Sequence, residues 1–170
     1  MLNWLKRKSP NERQAQTIYH DIMARMRRPK LYEEYGVEDS FDGRFNIMSL
    51  HLALRMMTTA DEKLRQAMFD VFFTHMETSL REIGIGDMGM PKHMKKMMTA
   101  FKGRTAAYAQ ALEQDKLTEQ KKLLKEALKR NVYGSNADDV SAKQVNALLA
   151  YTLEAYNEYK TKPEEVSHVA

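Results

Sequence analysis

The sequence predicts an all-α protein, a single domain of about six helices in a compact orthogonal or bundle-like array. Three observations predict it. Apolar residues recur at spacings of three and four from Ala15 to Tyr159, whereas alternating strand patterns do not recur. Helix-starting patterns, Ser or Thr followed three residues later by Glu or Gln, stand at Ser9, Thr59 and Ser141. The connections are mostly short, which favours antiparallel neighbours. At 170 residues, 43% apolar and 29% charged, the chain is long enough for one domain with a real core.

Ser9-Pro10-Asn11-Glu12 opens the first helix, with Ser9 as cap and Pro10 at the first helical position. Ala15, Ile18, Tyr19, Ile22, Met23 and Met26 form its apolar face, and Pro29 stops it. An acidic connection follows over residues 30–43. The second helix starts near Asp42 and reaches Met57, apolar almost all round and therefore central. Arg44, Met48, His51 and Arg55 lie along one stripe of it, and burial would require acidic or backbone partners there. Thr59 and Glu62 form a second capping box, and Gly84 is the C-terminal stop of the third helix.

Pro91 begins the fourth helix, with Met94, Met97, Met98, Phe101, Tyr108 and Leu112 inward and Gly103 as a loosening point. A shorter helix spans about Leu117 to Arg130 and ends near Gly134. The last helix starts at Ser141 and continues to about Lys160. The expected organisation is a basic and apolar N-terminal segment at 1–10, a helical domain at 11–160, and a flexible tail at 161–170. Leu2, Trp4 and Leu5 beside Lys6, Arg7 and Lys8 are too short for a signal peptide. They leave two readings, a frayed terminus that packs one Trp or a small amphipathic membrane foot.

Several function classes are disfavoured. No apolar run approaches the ~20 residues of a spanning helix. Cysteine is absent, which removes disulfides, thiolate metal sites and Cys nucleophiles and points to a reducing compartment. His20, His51, His75, His93 and His168 show no metal-binding spacing. His51 reads as a core histidine hydrogen-bonded to a neighbour. Asp42 near Arg44 reads as helix capping plus an ion pair. Gly84, Gly86 and Gly89 match GxGxxG, but the dinucleotide fingerprint needs a preceding strand, and here a helix precedes it. A tight turn with glycines at positive φ explains them better. The expectation is a non-enzymatic binding protein with no cofactor and no metal.

Charge and methionine locate the binding surface. Residues 1–30 hold eight Lys/Arg against two acids, and residues 91–104 hold five against none. Between them, residues 31–90 hold five against eleven. Such asymmetry bears on partners rather than on fold. Ten of the thirteen methionines fall between Met48 and Met98. Methionine either fills irregular core gaps or supplies an adaptable surface for apolar partners. The candidate partner-binding residues are Met88, Met90, Lys92, Met94, Lys95, Lys96, Met98 and Arg104. The basic helix lacks interleaved exposed aromatics for base stacking. Its lysines are a solvated face or a dock for anionic lipid or ribosomal RNA, without specific DNA binding.

Two blocks resemble a known family. Asp42-Gly43-Arg44-Phe45 followed by Leu50-His51-Leu52 is similar to the first signature of the ubiquinol–cytochrome c chaperone family. Leu80 to Lys92, with Gly84, Gly86, Asp87, Gly89 and Pro91, continuing through Lys95-Lys96-Met97 and Phe101-Lys102-Gly103-Arg104, resembles the second. The similar region runs from about Tyr19 to Tyr133, and residues 138–160 carry little of it. The resemblance implies an all-helical assembly chaperone that holds newly made cytochrome b for complex III. In mitochondrial members it also implies the ribosomal tunnel exit and a small partner protein. The chain lacks the long N-terminal extension typical of those members. The resemblance therefore implies a bacterial-type member in the cytoplasm or peripheral on the inner face of the inner membrane.

Overall fold

The computed structural model describes residues 8–162, which are helical with no strand. The reading of Met1 to Arg7 and the tail beyond Lys162 lie outside the described residues. Helix α1 spans Pro10–Met26. The Ser9 hydroxyl accepts from the Glu12 N–H at 3.1 Å, and the Glu12 carboxylate accepts from the Ser9 N–H at 2.6 Å. Past the turn at Arg27, Pro29 opens α2, Lys30–Glu33, a single turn anchored by buried Leu31. This turn is additional to the six helices expected.

The remaining helices are α3 Phe41–Met57, α4 Glu62–Glu82, α5 Met90–Leu112, α6 Leu117–Leu128 and α7 Ala142–Thr161. Between α6 and α7 lie a π-helical turn, Lys129–Tyr133, and a 3-10 turn, Gly134–Asn136. Ser141 and Gln144 form the capping box of α7. The box expected at Thr59 does not form. The Thr59 hydroxyl donates back to the Arg55 carbonyl at 2.8 Å, and Asp61 caps α4 through the Lys63 N–H at 2.9 Å. A carboxylate at the N-terminal end of a helix also gains from the dipole, so Asp61 takes the role.

Helix α3 is the hub, packed against α1, α4, α5, α7 and the π turn. Ten of its seventeen residues are buried, as a nearly all-apolar helix requires. Arg44 is exposed at one end of the stripe and Arg55 half-buried at the other, while Met48 and His51 are buried. His51 finds neither an acid nor a backbone group. Its Nδ1 lies 2.9 Å from the Tyr159 hydroxyl and its Nε2 2.6 Å from the Tyr151 hydroxyl. A neutral imidazole donates at one nitrogen and accepts at the other, so two hydroxyls satisfy it. Burial first, then the charges of Arg25 and Arg28, push its pKa down to about 3. Arg25, 6% exposed, is met by Asp21 at 3.1 Å and Glu158 at 2.8 Å.

Candidate functional site

Three chain segments converge on one groove, and each has a local reason for its shape. The first is the turn between α4 and α5. Gly84 takes φ +98°, left-handed backbone open to glycine. The Ile85 N–H then donates to the Leu80 carbonyl and the Gly84 N–H to the Arg81 carbonyl, both at 3.0 Å. This is a Schellman closure. Arg81 reaches Glu77 at 2.8 Å and Asp87 at 2.5 Å, bracing the turn across its width. Hydrogen bonding from Arg81 and its charge hold the Asp87 carboxyl below its ordinary pKa. Gly86 and Gly89 do not have positive φ, so only Gly84 fulfils the expectation for this glycine run. The braced turn presents Ile83 at 59% exposure and Met88 at 101%.

The second segment is the start of α3. The Ser40 hydroxyl accepts from the Gly43 N–H at 3.1 Å. A Cβ at Gly43 would lie 1.9 Å from the Glu38 carbonyl oxygen, so glycine is what admits that strand of backbone against the helix. Arg44 pairs with Asp39 at 2.8 Å and not with Asp42; the capping residue is Ser40, and Asp42 is an exposed first-turn acid that lines the groove. The third segment is the π turn. Asn46 of α3 donates to the Val132 carbonyl at 3.0 Å, and the Tyr133 hydroxyl donates to the Tyr35 carbonyl at 2.7 Å.

The groove between them has a volume of about 700 Å³. Phe41, Asp42 and Phe45 come from α3, Leu80, Ile83 and Ile85 from the end of α4 and its turn, and His93, Lys96, Met97 and Arg104 from α5. Val132 and Tyr133 close the far side. The Arg104 guanidinium stacks over Phe45 at 5.1 Å from the ring centroid. Its Nη1 is buried without a hydrogen-bond partner. Burial holds its pKa below the ordinary guanidinium value, with Tyr108 and Asp42 opposing.

Of the eight residues expected to bind a partner, Lys96 and Arg104 line this groove. Met88 is at the tip of the turn, fully exposed. Met94 and Met98 are half-buried against the core. Met90 is a correction: it is 5% exposed, because it shares the register of the inward stripe Met94, Met97, Phe101 and Tyr108. Lys92 and Lys95 are exposed beside the groove. Of the signature residues, Asp42 reaches the groove, Gly43, Gly84 and Asp87 shape its walls, and His51 is remote from it in the α3–α7 core. Sequence reasoning missed Phe41, Phe45, Ile83, Ile85 and Met97 as groove residues. Phe41, Ile83 and Ile85 stand next to the acid and the glycines that were singled out, and Phe45 stands next to Arg44. The contribution of the π turn carried no local signal.

Among the described residues, no group of three or more His, Asp or Glu side chains could hold a metal ion. No described helix is long and apolar enough to cross a membrane.

The family model described as ubiquinol-cytochrome C chaperone matches residues 33–166. The match extends through α7, beyond the point where the sequence blocks lose their resemblance. The crystal structure of the Cbp3 homologue from Brucella abortus is similar, with a TM-score of 0.73 and 34% sequence identity. The similarity covers 92% of this chain and 85% of that one. No curated protein matches the sequence.

Proposed function

The chain belongs to the ubiquinol–cytochrome c chaperone family, and from that premise we propose that it is a non-enzymatic assembly factor that holds newly made cytochrome b. The observation that carries this reading is the groove. Its apolar lining, Phe41, Phe45, Ile83, Ile85 and Met97, is interspersed with polar and charged residues such as Asp42, Asn46, Lys96 and Arg104, and the turn that forms one wall carries a fully exposed Met88. Ile83 and Met88 are large apolar side chains left exposed at this turn, and thioether side chains can repack around different apolar segments. The Asp42–Phe45 part of the first signature block and the second block both contribute residues to the groove, which supports a shared task. Nothing in the task calls for proton transfer or a nucleophile, and His51, with its pKa pushed down and both nitrogens engaged, is a core group.

Cytochrome b made in a cell-free system with tagged chain present tests this. Co-purification of cytochrome b, lost in Ile85→Asp and Met97→Asp, is the expected result. Equal recovery by wild type and both variants would refute the groove as the client site.

A specific observation favours an accompanying role at anionic surfaces. Lys92, Lys95, Lys96 and Lys102 line the outer side of α5, and none enters an ion pair among the described residues. Such a face attracts anionic lipid or RNA with steep salt dependence. This reading puts the chain in the cytoplasm, peripheral to the inner face of the inner membrane.

A further inference from the structure

The groove holds a guanidinium that the fold brings near Asp42 but sets in no direct ion pair among the described residues. Arg25 illustrates how this protein treats a guanidinium it keeps for itself, with Asp21 and Glu158 on either side. Arg104 has no such arrangement. It enters none of the ion pairs among the described residues, and its Nη1 is buried with no hydrogen-bond partner. Burying an unpaired cation costs stability. Stacking on Phe45 offsets part of that cost and orients the guanidinium plane without consuming an N–H donor. The guanidinium is therefore held over Phe45 at the groove, and none of its donors is taken up by a hydrogen bond or ion pair among the described residues.

We propose that Arg104 is the specificity-determining residue of the groove and takes a single carboxylate, from an Asp or Glu side chain within an otherwise apolar client segment. The inference rests on the groove being the client site. Three features select the ligand. A guanidinium fork matches a carboxylate in two parallel hydrogen bonds. Glu38 and Asp42 line the groove opposite Lys96 and Arg104, a balanced set of charges that suits one carboxylate better than a dianionic phosphate. Phe41, Ile83 and Met97 surround the position with apolar surface, which strengthens a charge-paired contact and rewards apolar flanks. An acid inside an apolar membrane segment is costly until it finds its final partner, and a chaperone cation can cover it meanwhile.

The test uses the full chain as wild type, Arg104→Lys, Arg104→Gln and Met97→Asp. Each is scored for capture of cell-free cytochrome b, and each is titrated with overlapping peptides spanning cytochrome b. Every acidic peptide is paired with a twin in which Asp or Glu is amidated. Wild type should prefer at least one acidic peptide over its twin by about tenfold or more, and Arg104→Gln should not distinguish the twins. Arg104→Lys should fall between them, and Arg104→Gln should melt at or above the wild-type temperature. If Arg104→Gln captures like wild type while Met97→Asp does not, the arginine inference fails and the groove stands. If wild type captures no cytochrome b, the reading beneath fails and takes the inference with it. If twins bind equally while Arg104 controls binding to phosphatidylglycerol vesicles, the ligand is a lipid phosphate and the carboxylate assignment is overturned.

Discussion

Alanine at Gly43 should destabilise the protein, and alanine at Gly103 should stabilise it, although both glycines lie inside helices. At Gly103 an added Cβ meets nothing within 4 Å. The substitution there removes only the entropic penalty of a helix glycine, a gain of about 0.5–1 kcal/mol. At Gly43 the same entropic gain is opposed by a contact. The new Cβ would stand 1.9 Å from the Glu38 carbonyl oxygen and 2.8 Å from its carbon, where real Cβ contacts stay above 3.0 Å. The obstacle is backbone, so relief requires moving Glu38 away from α3 by about 1 Å or more, in a close-packed region. That costs about 1–3 kcal/mol of overpacking. Losing the Ser40 cap as the segment shifts adds about 1 kcal/mol. The net effect is a loss of about 1–3 kcal/mol, and the two variants should differ by about 2–4 kcal/mol. Urea unfolding followed by far-ultraviolet circular dichroism measures both. The Gly103→Ala midpoint should rise and the Gly43→Ala midpoint should fall, with melting shifts of about 2–4 °C per kcal/mol for a chain of this size. If both move in the same direction, the close approach of Glu38 to α3 is wrong, and with it the stated reason for the glycine.

Other outcomes follow from the same contacts. The unfolded His51 imidazole titrates near pH 6.5 and the folded one near about 3, so between them the unfolded state holds the extra proton. Stability is therefore full above pH 6.5 and falls as the pH drops toward 3, by up to ~1.4 kcal/mol per pH unit, and His51→Gln should flatten that slope in denaturant titrations across the window. Ser141→Ala should cost about 1 kcal/mol in the same unfolding assay, since it removes the cap of α7. Met88→Asp should leave the melting temperature unchanged because the side chain is fully exposed, yet lower cytochrome b capture. Reversing Lys92, Lys95, Lys96 and Lys102 to Glu should abolish sedimentation with phosphatidylglycerol vesicles. Persistent binding would make the lysine face a solvated surface only.

How much of this was legible depended on range along the chain. The Ser9–Glu12 and Ser141–Gln144 boxes and the Gly84 stop were readable because donor, acceptor and backbone requirement lie within one turn of each other. Thr59 misled because two cap candidates stood two residues apart, and the carboxylate won over the hydroxyl. The turn α2 escaped because four residues carry no period. The site was legible in part. Its lysines and the position of the turn followed from composition and glycine spacing. Its far wall is set by the Asn46 bond to Val132, a contact 86 residues apart in sequence, and no local pattern encodes that. Met90 and Met88 differ by two residues and by nearly the whole range of exposure, which methionine identity alone does not reveal. Arg104 was counted with the basic face, but its stacking on Phe45 depends on how α3 and α5 cross.

The most direct test replaces Ile85 and Met97, one at a time, with a photoreactive amino acid, alongside a control position at Asn157 on the exposed side of α7. The chains are irradiated in cells while cytochrome b is being made, and the crosslinked products are identified. Newly made cytochrome b should appear at both groove positions and not at Asn157. Its absence from the groove, or equal yield at all three positions, would contradict the groove as the place where this chaperone holds its client.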